Sequence, residues 1–442
     1  LICHIVWVKT YSPFRGLLQI LSFFLVAGTS GNVEDHFPEL GEILNNVEEY
    51  SPILIEKNYV IQERLGQQMI AESAKGMSLS INLSTQSIHE DRPNQSFYHR
   101  YRSFGSIYAR KPLFHWGALD AQSKIAIKNT HISKLTYNEA ISNVISQSRR
   151  SYLESMLLQK KAEIKKESLL IQQESLKREI KQNKLGLSSA LDVSESNASL
   201  LQNELLLADL RQSLDNSVNQ FKSITGWEGN LTFVEKNNSI HNLLSSKLID
   251  EKKPALIAGI SSRTIKRIEK EIEIEKNQFT IANSQLKPKL NLVSGFYQDQ
   301  VALANSDDSL LRNNFVVGLE ANWAIWDSSK SKGQKTAALA RKRSLEYALE
   351  RELKSFRLYI ENLRQNLSSA ANRIQISNKL LEVANSRFET SRLEFDAKRI
   401  SENKHLESKI ALDNAKIKHL ESVCQYLKNK DLYLDAIQQI HE

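Results

Sequence analysis

"PLFHWGALDAQSKIA" (112–126) and "AIWDSSKSKGQKTAA" (324–338) lie over each other at an offset of 212 residues. The same offset pairs Ile141 with Leu353, Ile164 with Ile376, Leu169 with Leu381, Ile171 with Val383 and Leu176 with Phe388, and it still holds at Ser189 with Ser401 and Leu200 with Leu412. Self-similarity at one fixed spacing marks a tandem repeat. An offset that does not drift over so many turns requires corresponding helices of equal length. The two halves read as structural copies.

Only 15 Gly and 7 Pro punctuate the 442 residues, so the elements between them are long. The first repeat is expected over 31–226 and the second over 254–442, with 227–253 as linker. In each, a helix (about 39–75, then 255–286) leads into a period-two segment: Met77, Leu79, Ile81 and Leu83, then Leu290, Leu292, Ser294 and Phe296. A polar loop follows, "HEDRPNQS" (89–96) or "DQVALANSDDS" (299–309), and then a second alternating segment. Hairpins are therefore expected over 77–111 and 290–323. After each come a very long helix (about 118–184 and 328–396), a turn, and a returning helix (about 190–225 and 402–439).

A helix of some 65 residues is roughly 100 Å long. No compact domain holds such a rod. Its apolar positions do not keep a strict heptad and small or polar residues stand among them, so it must pack side by side with other helices along much of its length. Four strands of about 10 residues are long enough to cross a bilayer at a tilt. Four cannot close a barrel, and lipid does not tolerate open edges, so strands in a membrane would have to share a barrel with other chains. Tyr101, Tyr108, Phe114 and Trp116 around the first hairpin, with Phe296, Trp323 and Trp326 around the second, suit an interfacial aromatic girdle. A soluble sheet with buried aromatics is the other reading.

The beginning of the chain is built differently. Lys9 and Arg15 precede the apolar run "LLQILSFFLVA" (17–27), and Gly28, Ser30 and Gly31 follow, the layout of a secretory signal peptide over 1–30. The run is about half the length that a membrane anchor needs. Cys3 would leave with it, and Cys424 alone cannot make an internal disulfide. The formal charge of +8 comes from Lys and Arg interleaved with Glu, as in "KRIEKEIEIEK" (266–276), which reads as solvated helix faces and not as a nucleic-acid patch.

The turn of the first repeat is "NKLGLSSALDVSESNA" (183–198). Gly186 supplies a left-handed residue to end one helix, and Ser189 with Asp192 three residues on resembles the capping box that starts the next.

With these residues in place, the whole chain resembles the outer membrane efflux protein family, the TolC-like export channels. The strongest match is "LGLSSALDVSESNASLLQNELLLADLRQSLDNSVNQFKSITG" (185–226), which looks like the family's first-repeat turn, returning helix and terminal "TG". "SP" (51–52), "LKPKLNL" (286–292), "PLFHWG" (112–117) and "AIWD" (324–327) support it. The resemblance implies a mixed α/β membrane protein, a homotrimer whose chains each give four strands to a twelve-stranded outer membrane β-barrel continuous with a twelve-helix periplasmic tunnel. It implies a passive duct without cofactor, served by a periplasmic adaptor and an inner membrane pump of the proton-driven (RND) or ABC type, in efflux or type I secretion.

The resemblance also assigns roles at the turns, the periplasmic tips where adaptors dock and the pore closes. Asp192 matches an acidic closing position, while Leu185, Gly186, Leu187 and Ser189 match the docking turn. In "FDAKRISENKHLES" (395–408), Lys398 stands where the family commonly has Gly, Ser401 keeps its place, Phe395 replaces a frequent gate tyrosine, Lys404 replaces an acidic ring residue, and Glu407 matches another. The two turns are thus expected to differ, and a ring of Lys404 would favour anions where Asp would favour cations.

Enzyme chemistry has little support: the 10 His are scattered without ligand spacing, and no phosphate loop or nucleophile elbow is present. His115, His405 and His419 read as surface or packing residues. A periplasmic coiled-coil scaffold or adaptor is the alternative; it accounts for the rods but not for the hairpins or the duplication.

Overall fold

The computed structural model describes residues 33–90, 98–236, 262–302 and 309–441. The expected leader, parts of both hairpin loops and the linker beyond 236 lie outside the described residues.

Three short helices, α1 (Val33–His36), α2 (Pro38–Asn45) and α3 (Val47–Tyr50), precede α4 (Pro52–Ser73). The single helix expected over 39–75 is broken at Asn46 and Ser51. Proline disfavours helical backbone in the residue before it, and Ser51 takes φ −67° and ψ 119°. Its hydroxyl donates to Ile224 O at 2.7 Å, which ties the break to a residue 173 positions away.

The hairpin β1 (Ser78–Glu90) and β2 (Tyr98–Phe114) follows, then α5 (Ala118–Lys184) and α6 (Ala190–Thr225). The second half repeats this order with α7 (Arg263–Ser284), β3 (Lys289–Ala302), β4 (Ser309–Asn322), α8 (Lys330–Asp396) and α9 (Glu402–His441). Helices α5 and α8 have 67 residues each, the equality that the constant offset requires. The corner from strand to helix is also duplicated. Trp116 and Gly117 take φ 54° and 77°, and 212 positions on Ser328 and Ser329 take 51° and 70°.

The four strands form one antiparallel sheet in the order β1-β2-β3-β4, with β2 and β3 joining the hairpins and β1 and β4 left as edges. The strands run to 13–17 residues, longer than expected. Backbone pairing continues through Thr85, Gln86 and Ser87, where the apolar alternation that reveals a strand has already stopped.

The main core sits near the middle of the long helices. Val33, Phe37, Leu40 and Ile43 of the short helices pack on Tyr152, Leu153 and Met156 of α5, Phe221 of α6, Ile374 of α8, and Val423, Cys424 and Leu427 of α9. Burying each such side chain stabilises by about 1.5–3 kcal/mol, and together they make a waist. Its rim is ionic: Arg149 donates to Glu34 at 2.6 Å and to Asp431 at 2.5 Å, and Ser146 donates to Asp431 at 2.6 Å. Burial of the Arg149 charge is tolerable because two carboxylates face it. Burial also pushes the Cys424 thiol up to about 12.

Between α8 and α9 the packing steps by seven residues. Ser391 meets His405, Ala384 packs with Leu412, and Ser377 meets His419. Small residues of α8 thus form holes for large residues of α9, a use for the small and polar residues that stand among the apolar ones.

Candidate functional site

Two regions collect the functional candidates: the helix tips at 185–193 and 395–407, and the surface of the sheet.

At the first tip, Leu187 N donates to Gln182 O and Gly186 N to Asn183 O, both at 2.9 Å, with Gly186 at φ 75°. This closes α5 with a left-handed residue. Ser189 Oγ accepts from Asp192 N at 3.1 Å, and Ser189 N donates to Asp192 Oδ2 at 3.0 Å, a complete capping box. Those bonds from Ser189 hold the Asp192 carboxyl below the ordinary carboxylate range. Around the cap, Leu185, Leu187 and Leu191 are exposed by 66%, 76% and 66%. The tip therefore presents an apolar knob over a satisfied polar turn.

The second tip has the same backbone. Arg399 N donates to Glu394 O and Lys398 N to Phe395 O, both at 2.8 Å, and Lys398 occupies the left-handed position at φ 57°. Loss of the glycine has changed the strain of the turn and not its shape. The cap is weaker: Lys404 N donates to Ser401 Oγ at 3.4 Å, and a lysine cannot return the bond. Lys404 and Glu407 are exposed, and neither makes an ion pair among the described residues.

Phe395 is held by an arrangement that the sequence did not disclose. Its ring stacks on His405 at 5.0 Å and 8°, while Phe388 stacks on the other side at 5.3 Å and 24°. His405 Nδ1 lies 3.2 Å from Ser391 Oγ. Beside this stack, Arg178 of α5 donates to Glu402 of α9 at 2.5 and 3.0 Å and ties the first-repeat hairpin to the second tip. The seven-residue spacing of Phe388 and Phe395 was visible; the histidine between them follows only from the antiparallel register of α8 and α9.

The sheet has two unlike faces. Leu79 and Ala109, Ile81 and Ile107, Ile107 and Phe296, Phe296 and Phe315, and Leu292 and Leu319 are direct partners, so they share one side. On that side Leu79, Ile81, Leu83, Tyr101, Phe315, Val317 and Leu319 are each more than 60% exposed. The opposite side carries Ser78, Ser80, Asn82 and Ser84 on β1, Ser106 and Arg110 on β2, and Asn314 and Glu320 on β4, with Arg110 donating to Glu320 at 2.8 Å. Tyr108 lies on this polar side, over Gly295, where a Cβ would come within 2.7 Å of the tyrosine ring. It stands apart from Tyr101 and Phe296 because one residue along a strand reverses the face.

At the helix-proximal end, Trp116 donates to Pro288 O at 2.8 Å and Trp323 to Leu286 O at 3.0 Å. Both indoles staple the approach to β3 as well as lining its edge. Phe114 packs edge-on to Trp116, and Trp326 is 82% exposed with no such tie.

Among the described residues no helix is long and apolar enough to cross a membrane, and no cluster of His, Cys, Asp or Glu could hold a metal ion.

The family model described as Outer membrane efflux protein matches residues 52–227. This stretch is an outer membrane efflux protein domain. It holds the first tip, the first hairpin and the rods between them, and an outer membrane location goes with it. No protein of curated function matches the chain in sequence. Among solved structures, CusC aligns over 90% of this chain and 92% of its own, at a TM-score of 0.74 and 16% identity. The Campylobacter jejuni CmeC outer membrane channel aligns over 99% and 94%, at 0.76 and 12%. VceC, an outer membrane protein of Vibrio cholerae, aligns over 90% and 96%, at 0.70 and 14%. At such identities the likeness shows the fold, and it extends the efflux-protein fold from the matched domain to nearly the whole chain.

Proposed function

We propose that the protein is the outer membrane exit duct of a tripartite efflux or type I secretion system, a homotrimer that conducts passively. The observation that carries this reading is the sheet: one face is apolar and exposed, the other polar, and both edges are open. Lipid would cover the apolar face, but it does not tolerate the edges. Pairing β4 of one copy with β1 of the next removes them, and three sheets of four strands close a twelve-stranded barrel with a polar lumen. The rods would close in the same way into a twelve-helix periplasmic tunnel. A periplasmic coiled-coil scaffold would leave the same face bare in water.

On this reading an inner membrane pump, RND or ABC type, supplies the energy through a periplasmic adaptor. The adaptor docks at the tips through Leu185, Gly186, Leu187, Ser189, Lys398 and Ser401. Asp192, Phe395, Lys404 and Glu407 line the closed entrance, and Tyr101, Phe114, Trp116, Phe296, Trp323 and Trp326 meet the membrane interface. The test is extraction and planar-bilayer recording of the purified protein: a detergent-dependent trimer from the outer membrane fraction, forming discrete channels. A monomer soluble without detergent would sink the proposal. If Asp192→Asn and Lys404→Ala both left conductance and ion selectivity unchanged, the entrance assignment would fail while the duct survived.

A further inference from the structure

The helix-proximal end of the sheet carries an excess of cations. Lys75 is paired with Asp120 at 2.8 Å and Arg110 with Glu320 at 2.8 Å. Asp327 accepts from Ser331 N at 2.8 Å, and Glu72 accepts from Gln68. Asp120 and Glu320 are thus neutralised, while Glu72 and Asp327 hold neutral donors. Lys111, Lys330 and Lys332 are exposed, and none makes an ion pair among the described residues. Lys287 lies over the Trp116 ring at 4.7 Å.

Two details make this more than a solvated surface. Lys111 sits on the apolar face of the sheet, opposite Leu292, near the end of β2 at Phe114. A lysine there lays its stem along apolar surface and carries its charge beyond the edge. The start of α8 has no acidic residue in its first turn but has Lys330 and Lys332, and Lys335 in the next. A helix N-terminus is the positive end of the backbone dipole and favours anions; the Asp327 carboxylate meets it through Ser331 N, and the three lysines remain as surplus positive charge beside it. Beside them Trp323, Ile325 and Trp326 are exposed by 60%, 77% and 82%, apolar groups level with the basic ones.

We infer that this collar seats the headgroups of anionic phospholipid in the leaflet nearer the helices: Lys111, Lys287, Lys330 and Lys332 meet the phosphates, and Ile325 and Trp326 enter the boundary below them. The inference rests on the reading of the sheet as a bilayer-spanning wall. Phosphate diesters supply the counter-charge that the lysines lack, and a bilayer supplies the apolar layer next to it.

The full-length protein is reconstituted in phosphatidylcholine vesicles in which brominated phosphatidylglycerol or brominated phosphatidylcholine is varied, and quenching of tryptophan fluorescence is read. Phosphatidylglycerol is expected to be preferred roughly fivefold, and high salt is expected to reduce the preference. The triple variant Lys111→Gln, Lys330→Gln, Lys332→Gln brings the ratio towards one while quenching by phosphatidylcholine stays. Equal quenching by the two lipids in the unaltered protein, or a preference unchanged in the variant, overturns the inference. So does loss of the preference to inorganic phosphate at constant ionic strength, which would mark a soluble-anion site. Quenching by neither lipid overturns the bilayer-spanning reading itself, and the inference with it.

Discussion

The two helix tips share a backbone and differ in almost everything attached to it. The first closes on Gly186, caps reciprocally through Ser189 and Asp192, and exposes three leucines. The second closes on a strained lysine, caps through Ser401 alone, and is stiffened by the Phe388–His405–Phe395 stack and the Arg178–Glu402 bridge. A duplicated turn can therefore keep its shape while its stabilisation moves from local backbone chemistry to contacts with a neighbouring helix. The first tip is self-sufficient. The second depends on α5 of the other repeat.

The largest break in this comparison comes from the left-handed position. Gly186→Val puts a β-branched side chain at φ 75° and is expected to destabilise the first tip by about 2 kcal/mol. Lys398→Gly relieves the same strain and is expected to stabilise the second tip by about 1 kcal/mol. Amide hydrogen exchange at 185–190 and 397–402 measures both, and equal signs at the two sites would contradict the equivalence of the turns.

Next in size are the caps. Ser189→Ala is expected to cost about 1 kcal/mol of local stability, with Ser401→Ala costing less because its bond is longer and unreciprocated. Lys404→Glu should build the missing half of the second box and narrow that gap. The same exchange measurement at the first turns of α6 and α9 reads it.

Protonation separates the tips further. Asp192 is held below its ordinary range by its bonds from Ser189, so its contribution is present above the unfolded carboxylate value of about 4. It is lost as pH falls through the depressed folded value. Exchange protection of the first tip should drop in acid over that window, while the N-cap of the second, with lysine at the matching place, should not follow it. Parallel loss at both tips would show that the cap is not the source.

The smallest effect is expected at the bridge. Arg178 and Glu402 are partly exposed, and such a pair is worth about 0–1 kcal/mol. A double-mutant cycle with Arg178→Gln and Glu402→Gln should give a coupling of that order. The cycle is most sensitive at low salt, where screening is weakest.

What could be read from the sequence divides along the same line. The first tip was legible because each bond spans at most five residues and the residue types name the motif: Gly for the left-handed turn, Ser and Asp for the box. The equality of α5 and α8 was legible because a repeat reports its own lengths. The second tip was not. Lys398 announced a departure from glycine, but the preserved turn and the His405 stack depend on which residues of antiparallel helices face each other. The division of Tyr101 from Tyr108 needed the strand register, whereas "SP" (51–52) marked the opening of the helix Pro52–Ser73 inside a periodic stretch that otherwise reads as continuous. The strand ends were hidden because serine and glutamine pair their backbones without marking the period.

The waist has one consequence beyond packing. Cys424, 2% exposed and packed among Val423, Leu427 and Ile374, holds a thiol that burial keeps protonated well above neutral pH. Thiolate is the reactive form, so the closed helix pair is silent to alkylating reagents. Any opening that reaches this level turns the residue on, and the rate of its labelling becomes a clock for how often the packed helices part at their middle.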